Sequence, residues 1–344
     1  MPPLPPQPHQ PRIITYYQTH HDPSGAHISV LPLLSQPGIQ LTHLILAAIH
    51  LNEDPSALTL NDHAPSHPRN TTLWAELRIL QAAGIKVLGM LGGAAKGSFA
   101  QLDTDDIASF DRYYLPLAAL VRERALDGLD LDVEEPMSLA GIVRLIDRLR
   151  ADFGPAFIIT LAPVAAALLN AKHNLSGFDY EALEVMRGRD IAFYNAQFYC
   201  GWGDCSNPVM YELLLLRGWA PERLVVGLVT NPENGSGWVP WNALSSVLPL
   251  LVGRHPRFGG VMGWEYFNSL PGARERPWEW AQTMTSLLRG KGYHKVVPDG
   301  VERLDGGEEE QAYVVDPDQG AAGGVAVPVP HDFEYHSDGV EEDE

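Results

Sequence analysis

From position 12 to position 264, short runs rich in Val, Ile, Leu and aromatic residues alternate with longer stretches whose apolar residues recur every three or four positions. The short runs lie at 12–18, 42–49, 86–91, 127–134, 157–162, 191–199, 224–229 and 260–264 and read as strands. The stretches at 73–83, 106–124, 139–153, 241–251 and 278–288 carry helical periodicity. Strand then helix, repeated eight times in about 280 residues, predicts a parallel sheet of the size of a (β/α)8 barrel. A doubly wound open sheet is the competing arrangement, but no Gly-x-Gly-x-x-Gly follows the first run. The connection from 229 to 260 is short, which leaves no room there for an added domain and predicts an open groove.

The fourth run carries unusual polarity. Asp130, Asp132 and Glu134 alternate with Leu129, Leu131 and Val133, so one face of the strand is acidic and the other apolar. A solvated edge strand wearing protective charges has this pattern. So does a strand covered by helices on its apolar face whose carboxylates, about 7 Å apart at Cα, face a ligand. Like charges on one face repel unless something binds there.

Residues 127–134 read Asp-Gly-x-Asp-x-Asp-x-Glu, which resembles the signature of glycoside hydrolase family 18, the chitinases and their relatives: five fixed residues over eight positions. The resemblance implies a TIM barrel with Asp127 and Gly128 opening its fourth strand and Glu134 at that strand's C-terminal end. It implies Glu134 as the general acid, with Asp130 and Asp132 beneath it keeping it protonated. Asp132 is on the same strand as the acid and is badly placed to be a nucleophile across the sugar; the family uses the substrate's own 2-acetamido oxygen instead.

Other positions extend the resemblance. Asn195, Gln197 and Tyr199 share one face of the sixth run. Gln197-Phe198-Tyr199 is similar to the run with which short plant and fungal members hold the acetamido group. Asn195 is either part of that set or an interior polar group satisfied by neighbours. Trp264, closing the eighth run, is similar to the family tryptophan that floors the reacting sugar; apolar sugar faces pack on aromatic rings. The third run departs from the family's Ser-x-Gly-Gly. It reads Met90-Leu91-Gly92-Gly93, keeping the glycines that permit close backbone approach and losing the hydroxyl expected near Asp127 and Asp130. Gly93, Tyr17 on the first run and Trp202 after the sixth are further candidates for the cleft; the two aromatics fit packing equally well.

Composition bounds the rest. The chain has 344 residues, 45% hydrophobic and 19% charged, enough for one large domain. Its net charge of -19 is concentrated: fifteen acids and one arginine fall between Asp299 and Glu344, leaving the remainder at -5. Residues 291–344 therefore read as an acidic disordered tail, residues 12–290 as a single catalytic domain, and residues 1–11, with six prolines, as a disordered lead-in without the apolar core of a secretory signal. A cytoplasmic, monomeric protein is expected. Cys200 and Cys205 read as free thiols or a small loop closure. With no basic stripe, nucleic acid is not expected as a partner. No apolar run of about 18 residues suggests a membrane span. His20, His21, His43 and His50 follow no zinc spacing, and Ser98 and Ser138 lie in no nucleophile elbow, so no metal or organic cofactor is expected. These readings converge on an endo-type, chitinase-like hydrolase of β-1,4-linked N-acetylglucosamine. An endo-β-N-acetylglucosaminidase acting on chitobiose cores is the alternative with the same chemistry, and a non-catalytic chitin-binding lectin the alternative without it.

Overall fold

The structure is a computed structural model that describes residues 9–290. The expected acidic tail, and the lead-in apart from residues 9–11, lie outside the described residues. Strands β1 (Arg12–Tyr17), β2 (His43–His50), β4 (Lys86–Gly92), β5 (Gly128–Asp132), β6 (Ile158–Leu161), β7 (Phe193–Gln197), β8 (Leu224–Val229) and β9 (Gly260–Trp264) are all parallel. β1 pairs with both β9 and β2, which closes the sheet into an eight-stranded TIM barrel. The two-residue β3 (Thr59–Leu60), absent from the sequence reading, runs antiparallel along the outer end of β2.

Strand alternation sorts the side chains into two layers. Ile14, Tyr16, Ile45, Leu88, Met90, Phe193, Val225 and Met262 fill the barrel. Their neighbours Ile13, Leu44, Val87, Leu129, Leu131, Tyr194, Val226 and Val261 face outward and join the other core cluster. Leu129 and Leu131 are wholly buried, a transfer worth about 2 kcal/mol each. This confirms the covered strand and removes the solvated-edge alternative for the acidic run.

The helices are α1 (Pro32–Ser35), α2 (Thr71–Ala82), α3 (Ile107–Glu123), α4 (Leu139–Phe153), α5 (Tyr180–Arg187), α6 (Val209–Arg217), α7 (Trp241–Arg254) and α8 (Glu279–Arg289). Asp106 and Ser138 cap α3 and α4, accepting from the amides of Ser109 and Gly141, so Ser138 is a structural cap worth about 1 kcal/mol. α5 and α6 escaped the sequence reading: one is eight residues long, and the other runs through four consecutive leucines that define no face.

The amino-terminal end of the barrel is plugged. Arg12 lies over the Phe193 ring at 4.3 Å, His43 meets the same ring edge-on at 5.3 Å, and Arg12 donates to the carbonyls of Glu222 and Gly259. Burial pushes Arg12 down to about 10 and His43 down to about 3. Asp127 belongs to this end: it accepts from Gln81 Nε2 at 2.8 Å, Val87 N at 2.9 Å and Lys86 Nζ at 3.3 Å, tying α2 and β4 to β5. The expected link between Asp127 and the hydroxyl missing at position 90 therefore fails. Met90 pairs in register with Asp130, further along the barrel. Gly128 is required for space, since a Cβ there would sit 2.1 Å from the Ile158 carbonyl oxygen.

Candidate active site

At the carboxyl-terminal mouth the acidic ladder rises from the barrel interior. Asp130 is fully buried and accepts from Tyr16 Oη at 2.7 Å, Thr160 Oγ1 at 2.5 Å and Asn195 Nδ2 at 3.1 Å. Asp132 is buried one step higher, and Glu134, just past the end of β5, is half-buried. A single nitrogen joins these two, because Gln197 Nε2 lies 3.3 Å from Asp132 Oδ1 and 3.1 Å from Glu134 Oε1. The same nitrogen lies 2.9 Å from the Ala162 carbonyl oxygen, so its two hydrogens serve three acceptors.

Burial raises all three carboxyls above their ordinary range. The effect is strongest at Asp132, where the charges of Glu134 and Asp130 add to desolvation. At Asp130 the three donors work against it, and at Glu134 Gln197 does. Asp132 and Glu134 thus titrate as a pair that retains a proton above the usual carboxylate range.

Aromatic groups complete the mouth. Tyr199 is buried in the inner cluster, its phenol pushed up by burial and then by Asp132 and Glu134. Trp264 ends β9, half-exposed, with its ring edge-on to Tyr16 at 5.5 Å. Gly92 and Gly93 hold φ of +89° and +93°, a conformation that favours glycine. It lets Gly93 N donate to the Asp132 carbonyl at 2.9 Å. The Met90 methyl fills the space beneath, 2.5 Å from where a Cβ on Gly93 would project.

The structure therefore brings Asp130, Asp132, Glu134, Gln197, Tyr199, Trp264 and Gly93 together and separates others. Tyr17 points away from the barrel. Its hydroxyl donates to the Ile28 carbonyl at 2.5 Å and its ring packs on His20 and Tyr266. Tyr16, the adjacent residue, takes the interior place, because neighbouring strand residues face opposite sides. Asn195 is fully buried beneath the mouth as a partner of Asp130, which leaves it no surface for a substrate. Trp202 packs against the outer core. Tyr16, Thr160 and Trp238, which packs on the inner cluster, were missed. Tyr16 and Thr160 could have been found by extending the inward register across the strands; Trp238 sits in a loop and gave no signal.

Where β1, β2 and β4 end, a cavity of about 650 Å³ opens. Gln18, His50, Asn61, Arg69, Asn70 and Lys96 contribute to its polar wall, and no Trp, Tyr or Phe lines it. Burial holds His20 down at about 4 and lowers His50, so both imidazoles are neutral at neutral pH. Cys200 is exposed and Cys205 buried, both free thiols. Among the described residues no three His, Cys, Asp or Glu are grouped to hold a metal ion, and no helix is long and apolar enough to cross a membrane.

Residues 12–228 match the family model for glycosyl hydrolases family 18, and this match covers the barrel from β1 to β8 together with the ladder. The chain belongs to glycosyl hydrolases family 18. It is 56% identical to a solved chitinase, ChiC, from Aspergillus fumigatus, with a TM-score of 0.74 over 80% of this chain and 98% of that one. It is 50% identical to a solved fungal endo-β-N-acetylglucosaminidase, with a TM-score of 0.79 over 82% of this chain and 99% of that one. Chitinase 2 of Rhizopus oligosporus is 29% identical over 212 residues; the match takes in 56% of this chain but spans only 36% of that protein's length.

Proposed function

We propose that this family 18 protein is a retaining glycosidase that cleaves β-1,4 bonds following N-acetylglucosamine, attacking chitin oligomers internally. The observation that carries the reading is Gln197 Nε2 in contact with both Asp132 and Glu134. It places the second carboxylate beside the acid on one strand, where it cannot lie across a sugar ring as a nucleophile. The reacting sugar would rest on Trp264. Glu134, whose carboxyl burial raises above its ordinary range, gives its proton to the glycosidic oxygen while the 2-acetamido carbonyl oxygen attacks C1. The leaving alcohol departs, and an oxazolinium ion remains. Asp132 accepts the acetamido N–H, and the Tyr199 hydroxyl donates to the acetamido oxygen. Glu134, now ionised, takes a proton from the water that opens the ring with retention. No metal or organic cofactor enters this scheme.

A second reading, hydrolysis of the chitobiose core of N-glycans, is favoured by the polar cavity. A linear chitin chain is commonly gripped on aromatic platforms. A wall of amides, imidazoles, cations and the Asp62 carboxylate, with no Trp, Tyr or Phe, also offers hydrogen bonds to a hydroxyl-rich branched arm.

The deciding assay measures release of a fluorogenic aglycone from di- and tri-N-acetylchitooligosaccharides, and of glycan from a high-mannose glycopeptide, by the wild type and Glu134→Gln. Loss of roughly 10²- to 10⁴-fold in turnover in the variant is expected, and near wild-type activity would refute the assignment of the acid. Turnover of the glycopeptide alone selects the second reading. Saturable binding without turnover of either substrate would make the protein a lectin.

A further inference from the structure

Two buried carboxylates outside the ladder stand next in sequence to residues of the site. Glu135 follows Glu134, Glu265 follows Trp264, and each side chain is only 5% exposed. Neither has a cationic partner among the described residues. Both instead grip backbone amides of loops. Glu135 accepts from Gly97 N and Phe99 N, each at 2.7 Å. Glu265 accepts from Thr19 N at 2.8 Å, Gln18 N at 3.1 Å and Thr19 Oγ1 at 2.8 Å.

The loops so held share a destination. Gln18 and Thr19, and Ala95 and Lys96 at the other loop, all line the polar cavity. Leu51, also in its wall, is tied to the second loop through the hydrogen bond its backbone N–H donates to Ser98 Oγ at 3.1 Å. Burying a carboxylate with no counter-charge is costly, and charge-assisted bonds to amides offset that cost only while the loop keeps its shape. A purely structural staple could sit anywhere along these loops. Here each is covalently adjacent to a residue of the site, so loop and site cannot move independently.

We propose, resting on the glycosidase reading above, that Glu135 and Glu265 are positioning residues that fix two walls of the cavity relative to Glu134 and Trp264. Sugars beyond the reacting one are thereby gripped in register with the cleavage point. Loosening either staple costs affinity for long substrates and spares short ones, because a preorganised wall becomes one that must be ordered on binding.

Calorimetric binding of chitobiose and chitohexaose to the Glu134→Gln protein tests this without depending on turnover. Adding Glu265→Gln or Glu135→Gln should weaken chitohexaose binding about tenfold and chitobiose binding less than about twofold. Thr19→Val, which removes one donor and leaves the carboxylate, should weaken chitohexaose in the same direction by a smaller factor, and it keeps the test open if Glu265→Gln does not fold. In the active background the same changes should raise KM for chitohexaose with kcat retained. Unchanged chitohexaose affinity, or equal losses for both sugars, overturns the proposal. Failure of Glu134→Gln alone to bind either sugar overturns the substrate reading, and the proposal falls with it.

Discussion

The two ends of β5 handle negative charge in opposite ways. Asp127, at the amino-terminal end, has three donors from two neighbouring elements, one of them the Lys86 ammonium. Asp132, at the other end, has one donor, which it shares with Glu134. Asp130 lies between them, fully buried yet well supplied by Tyr16, Thr160 and Asn195. Hydrogen bonding thus thins from Asp130 to the pair at the mouth, and burial together with the neighbouring charges holds Asp132 furthest above the ordinary carboxylate range. The amino-terminal acid holds the barrel together; the pair at the mouth is left under-satisfied, which makes it available to a substrate.

The contrast is broken most severely at Asp132. Asp132→Asn should lower turnover roughly 10²-fold and at the same time stabilise the fold at neutral pH. The sign follows from burial: the folded state holds the Asp132 carboxyl above its unfolded value, so the unfolded chain loses its proton first and wild-type stability falls as pH rises from the unfolded value toward the folded one. The amide has no such slope. Melting curves of both proteins from about pH 4 to pH 8 should show the gap widening as pH rises; a constant or reversed gap would end the argument. At the other end, Asp127→Ala should cost about 2 kcal/mol by orphaning its donors, with the turnover of the folded protein unchanged. Denaturant unfolding and specific activity check it together, and a loss of activity without a loss of stability would place Asp127 in the site after all. The smallest effect compares neighbours: Tyr17→Phe should remove about 1 kcal/mol of stability and no activity. Tyr16→Phe, which takes a donor from Asp130, should reduce kcat/KM about tenfold. Equal behaviour of the two would mean that the strand does not sort them.

Most of the barrel was legible because strand alternation and helix periodicity are local signals; all eight barrel strands lie within two residues of their expected limits. The acidic ladder was legible for the same reason. Tyr16 and Tyr17 were not separable, since adjacent aromatic residues differ only in the side of the sheet they face, which the pairing of β1 with β2 and β9 settles. Glu135 and Glu265 carry no local signal, and only the structure shows their burial against backbone amides distant in sequence, as far as Thr19 from Glu265.

The amino-acid order alone determined the alternation of strands and helices, the acidic face of β5, and through Asp-Gly-x-Asp-x-Asp-x-Glu the family. Closure of the barrel decided the remainder: which tyrosine supports Asp130, that one Gln197 nitrogen joins Asp132 to Glu134, and that a polar cavity opens where β1, β2 and β4 end. The division has a physical cause. Periodicity and turn chemistry are set between residues a few positions apart, whereas burial, carboxyl protonation and the sharing of a single donor depend on which distant segments exclude water from one another.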